Sequence, residues 1–205
     1  MKKRKLSRKK ILLFIVIIIG VGGVIFLAKS FTKPKASFKK PKVISEINGY
    51  ELKEGASSYY KNLFNDLKTE LSKDEVDEEN YAIIISQLFI SDCFTLANKV
   101  SNTDVGGIQF VHEPFQDDFV LIAKETLYSH VENNIYGNRK QELPIVREVT
   151  ITSIETKKYE YLGKEDNNAY FVKTNIEYTK DLGYPKEASL IIIHNDSKLE
   201  IAELE

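Results

Sequence analysis

The sequence predicts an α+β fold carried behind one membrane-crossing helix. Three observations predict it. An uncharged apolar run occupies residues 11–28, apolar residues recur at three- and four-residue spacing between Ser57 and Val131, and the period shortens to two from Leu143 onward. Helices first and strands last is an α+β order: an N-terminal transmembrane helix, then about three helices packed on a bent four-stranded antiparallel meander, cone-like in outline. The expected division is a basic tail (1–10), the span (11–28), a basic linker (29–42) and one folded domain (43–205).

Residues 1–10 carry seven Lys and Arg. The run from Ile11 to Ala28 is rich in Ile, Leu, Val and Phe. At 1.5 Å rise per residue it reaches about 27 Å, close to the roughly 30 Å hydrocarbon core of a bilayer. Ala28 and Ser30 have the small-x-small spacing of a signal-peptidase site, so a cleaved leader is the rival reading. The run is longer than a signal h-region and Lys29 sits inside that site, which favours an uncleaved anchor. Basic residues flank the run on both sides. Dragging the short basic tail through lipid is costly, so the expected orientation is N-terminus in the cytoplasm and domain outside. Residues 29–42, with two prolines and six lysines, read as a solvated stalk.

Charge divides sharply along the chain. Residues 1–42 hold 13 basic and no acidic side chains, and residues 43–205 hold 16 basic and 30 acidic ones. A domain so acidic repels nucleic acid, which is therefore not an expected partner; the basic segment suits an anionic bilayer surface. Cys93 is the only cysteine, so no intrachain disulfide exists, and no lipobox-like cysteine follows the apolar run.

Within the domain, Asn48-Gly49 between apolar residues signals a short hairpin over Val43–Leu52. Ser57 to Leu71 places Tyr60, Leu63, Phe64, Leu67 and Leu71 on one helical stripe. Asp74 to Val100 reads as a second, central helix, with acids crowding its dipole-positive start. Gly106-Gly107 marks a loop, followed by a short strand at Ile108–Phe110. A third helix is expected from Pro114, its stripe formed by Phe115, Phe119, Ile122 and Thr126 and extended by Val120, Ala123, Leu127 and Val131. In the strand region, Tyr170, Val172, Thr174, Ile176 and Tyr178 alternate with Phe171, Lys173, Asn175 and Glu177. Val149 and Ile151 share one phase and Ile154 the other, which predicts a bulge near Ser153. Strands at Leu190–His194 and Leu199–Leu204 follow, joined by Asn195-Asp196-Ser197. The other links are expected at Gly163–Asn168 and Asp181–Lys186.

This order of helices and meander resembles the nuclear-transport-factor-2-like cone fold. A basic tail, one span, a stalk and such a domain resemble the assembly-factor family of bacterial type IV secretion and conjugation machines. The resemblance implies a non-enzymatic scaffold in a cell-envelope complex.

No catalytic set is legible. His112, His130 and His194 have no metal-ligand spacing, and no phosphate loop, calcium loop or zinc motif is present, so neither cofactor nor metal is expected. Cys93 falls on the apolar side of the central helix and reads as a small hydrophobe. Asp92 borders the same apolar arc. Its two readings are a carboxylate made basic by burial, fit for general-base work, and an edge residue paired with Lys or a backbone group. Tyr159, Tyr161, Tyr170 and Tyr178, with Asp92, are the candidates for a pocket or partner surface; cross-strand packing is the competing role for the tyrosines. Three functions follow as expectations. The first is an anchored extracytoplasmic interaction domain with a bilayer and a protein as partners. The second is a small-ligand binder or enzyme with a pocket beside the central helix. The third is an anchored sensor or immunity-type binder of a basic partner.

Overall fold

A computed structural model describes residues 41–205. The expected tail and span, and all but the last two residues of the expected linker, lie outside the described residues. Among the described residues no helix is long and apolar enough to cross a membrane.

The described chain runs β1 (Val43–Ile47), β2 (Tyr50–Lys53), α1 (Ser58–Leu71), α2 (Glu78–Phe94), two 3-10 turns (Ile108–Phe110 and Glu113–Phe115), α3 (Gln116–Glu125), β3 (Val146–Tyr161), β4 (Lys164–Tyr178), β5 (Glu187–Asn195) and β6 (Lys198–Leu204). β1 and β2 form the expected hairpin, with positive φ at both Asn48 and Gly49. β3 to β6 form one antiparallel four-stranded sheet in sequence order. The fold is therefore α+β, three α-helices and a meander.

Helix α2 is central, with apolar residues buried on most of its circumference. On β4, Val172, Thr174 and Ile176 are buried toward the helices, while Lys173, Asn175 and Glu177 are exposed on the other face. The alternation read from the sequence is thus the sheet's inside and outside. Register breaks between Ile151 and Ser153, where a bulge was expected, and also at Val146/Glu148 and Lys157/Tyr159. These breaks bend β3. The Tyr159 hydroxyl donates to Glu203 of β6 at 3.1 Å. In a flat sheet, β3 and β6 would stand about 14 Å apart, three strand spacings. The distal β3–β4 hairpin therefore curls across the outer face of β5 and β6. It seals a second apolar cluster there, with Ile193 and Ala169 fully buried.

Four expectations are corrected. Helix α2 spans Glu78–Phe94 rather than Asp74–Val100. Asp77 caps its start through the Asn80 N–H, and beyond Phe94 the backbone finds tertiary partners. The Leu96 and Ala97 N–H groups donate to the Pro144 carbonyl, and the Arg139 guanidinium takes the carbonyls of Ala97 and Lys99. Ile108–Phe110 is a 3-10 turn, not a strand; Val111 next to it makes a parallel bridge to Ile201. Helix α3 ends at Glu125 because Tyr128 turns inward, donating to the Cys93 carbonyl and accepting the Gly106 N–H. The β3–β4 link is only Leu162-Gly163, both at positive φ, so β4 begins at Lys164 and not after Asn168.

Candidate functional site

Asp92, in the last turn of α2, is held by two tethers. Its Oδ1 lies 2.6 Å from the Lys99 ammonium, and its Oδ2 accepts the Gly107 N–H at 2.8 Å. Gly106 beside it must be glycine, since a Cβ there would sit 2.2 Å from the Asp92 carbonyl oxygen. Burial pushes the Asp92 carboxyl up, but the Lys99 charge and hydrogen bond with the Gly107 N–H outweigh it, so its pKa lies below the ordinary value. The structure shows the pairing with a lysine and a backbone group, and the lowered pKa makes this carboxylate a weaker proton acceptor than a free one. A cavity of about 300 Å³ adjoins it, lined also by Lys53, Tyr60 and Gln109.

The four candidate tyrosines do not join Asp92 or gather in one pocket. Tyr159 and Tyr161 stack on the sheet's outer face, where Tyr161 meets His112 and Phe115 edge-on and Tyr159 meets Phe171. Tyr170 is buried on the core face of β4, 5.7 Å from the His194 ring. Tyr178 is half-buried and donates to the Pro185 carbonyl at 2.7 Å. Each makes packing or hydrogen-bond contacts within the sheet and its loops.

His112 and His194 sit at separate places in the fold. Buried His112 meets Glu200 at 2.7 Å. The Nδ1 atom of His194 lies 2.9 Å from Asp166, and Glu78 stands 3.6 Å from Nε2. Those carboxylates flank opposite ring nitrogens and do not converge on one ion. Among the described residues no cluster of three or more His, Cys, Asp or Glu could hold a metal. Cys93 is buried, and burial pushes its thiol up to about 12, far from a reactive thiolate.

A second concavity is one that pattern reading missed. A cleft of about 930 Å³ opens between α3 and the C-terminal half of β6, floored by Cys93 and Phe94 of α2. Phe115, Phe119, Ile122 and Thr126 line it, the same stripe that reads from sequence as a core face. The stripe is only partly covered: Ile122 is 60% exposed, and its neighbour Leu121 is 53% exposed. The acidic residues Asp118, Glu187, Glu203 and Glu205 also line it, with the exposed His130; the Glu203 carboxylate is the one that accepts from Tyr159. No local signal marked it, because the ten-residue length of α3 is set by the inward turn of Tyr128. Such a cleft suits binding of an apolar group by a surface with an acidic margin. No family model, curated protein or solved structure matches this chain, so its role is argued from this geometry.

Proposed function

We propose that this chain is a membrane-anchored interaction domain, held outside the cytoplasm, that binds a protein partner through the cleft between α3 and β6. The observation that carries the reading is the cleft itself: an apolar concavity continued onto exposed Leu121 and Ile122 and bordered by carboxylates. Exposed apolar side chains that continue a concavity of that kind suit a contact surface. The apolar run at 11–28 behind a basic tail supports the anchor. The scaffold role in a secretion or conjugation complex is drawn by analogy from the resemblance of this layout to the cone fold. A photo-crosslinking residue placed at Ile122 in the full-length chain in its own cells should capture a protein adduct, and the same residue at Leu162 should not. Equal capture at both positions, or none at Ile122, rejects the reading.

A second reading rests on the cleft's volume and its place beside the central helix. About 930 Å³ is room for a small apolar ligand, with His130 at hand. Leu121 counts against it, because that side chain is exposed outside the cleft, where a ligand inside would leave it bare. Saturable uptake of a lipophilic dye, unchanged by Leu121→Asp, would favour this reading over the first.

A further inference from the structure

Ile201, Ala202, Glu203, Leu204 and Glu205 all line the cleft. β6 is the last strand of the sheet, and a cavity lined by five successive residues meets its main chain as well as its side chains. The cleft therefore runs along the outer edge of β6. Ile201 and Leu204 both lie on the core face despite their three-residue spacing, because the register slips by one residue between them, opposite Ile191/Ile192.

The outward main-chain groups of β6 can be followed one at a time. Leu199 turns outward; its carbonyl accepts from the Tyr50 hydroxyl and its N–H donates to Tyr81. Ile201 turns outward; its carbonyl accepts the His112 N–H at 2.9 Å. Glu205 and Ser189 exchange two hydrogen bonds, so Glu205 faces β5. By alternation, Leu204 then turns its N–H and C=O outward into the cleft. Among the described residues, Leu199 has both outward groups taken and Ile201 its carbonyl, whereas Leu204 has neither.

We propose that the cleft takes an extended, basic and apolar segment of a partner protein, which adds to the edge of β6 at Leu204. This rests on the reading of the cleft as a partner surface. The acidic residues Asp118, Glu187 and Glu205 select lysine or arginine in that segment, and the walls of α3 take its alternate apolar side chains. A second copy of this chain is disfavoured as occupant, because two-fold pairing of β6 about Leu204 would bring Glu203 against Glu205 of the copy.

The test measures binding of an eight-residue lysine–valine alternating peptide to the full-length chain in mild detergent. Three comparison peptides replace lysine by glutamate, methylate alternate backbone nitrogens, or use a helical lysine–leucine order. The lysine–valine peptide should bind saturably and weaken steeply with salt. Backbone methylation should weaken it about tenfold, as should Leu204→Pro, which an edge position tolerates. The glutamate peptide should fail. Equal affinity for the methylated or the helical peptide overturns strand addition but leaves the cleft reading standing if Ile122→Asp still abolishes binding. Binding indifferent to Ile122→Asp overturns both. Absence of saturable binding by the lysine–valine peptide overturns the proposed segment chemistry.

Discussion

Two carboxylates, Glu70 and Asp92, are kept charged away from open water by dense local hydrogen bonding. Glu70, 2% exposed at the end of α1, sits 2.7 Å from the Lys73 ammonium, accepts the Asp77 N–H at 2.9 Å and also binds the Asn80 amide. It thereby ties the end of α1 to the start of α2. Its pKa is lowered, the Lys73 hydrogen bond leading. Replacing it, Glu70→Ala, should cost about 2–3 kcal/mol, seen as a lower denaturation midpoint with unchanged slope. Asp92 gives a pH prediction. Its folded pKa is depressed, so its contribution is present above the ordinary aspartate value of 3.8 and is lost as pH falls through the lower folded value. Asp92→Asn leaves the nearly buried Lys99 without its counter-ion. The variant should be less stable at neutral pH by about 1–3 kcal/mol, and the gap from the wild type should close as pH falls below 4. A gap that is constant with pH would assign Asp92 no ionic role.

At the scale of elements, turns and strand edges decide the shape. The β3–β4 hairpin closes through Leu162 at φ +48 and Gly163 at φ +73. A leucine in the left-handed region is strained, and Leu162 is 62% exposed with little packing to offset it. Leu162→Asn should therefore stabilise the fold by about 0.5–1 kcal/mol in thermal unfolding. Gly106 behaves in the opposite sense. The loop it belongs to docks on α2 so closely that a Cβ would strike the Asp92 carbonyl. Gly106→Ala should cost about 3 kcal/mol or more, and a melting temperature equal to the wild type would show that the loop can move aside. At the sheet's other edge, Val149 has both main-chain groups taken by side chains: its N–H by the Tyr59 hydroxyl and its carbonyl by Gln87. That edge is closed to further strands there, in contrast to Leu204.

For the molecule as a whole, the charge partition between residues 1–42 and 43–205 is the physical basis of the proposed arrangement, with a cationic segment at an anionic surface and an acidic body beyond it. The full-length chain should stay with the membrane fraction through an alkaline carbonate wash. Protease added to intact cells should digest an epitope at the C-terminus and spare one at the N-terminus. Release by the wash, or a protected C-terminus, would remove the anchor or its orientation.

Element type and order were legible in the sequence because both are read from local spacing. The three- and four-residue stripes of α1 and α2, the alternation along β4, the Asn48-Gly49 turn and the slip near Ser153 each express a period or a backbone preference that no distant residue needs to supply. The pairing of Asp92 with a lysine or a backbone group was foreseeable as a type, since a carboxylate at the edge of an apolar arc needs a partner. Only the tertiary structure decided which partners those are. Lys99 and Gly107 come from the following loop, Pro144 and Arg139 stop the backbone beyond α2, and Glu203 of β6 meets Tyr159 of β3 across a rolled sheet. The cleft belongs to the same class. The stripe on α3 has the spacing of a core face, and whether a core face is covered depends on how far the opposing strand stands from it, a distance set by contacts between residues remote in the chain.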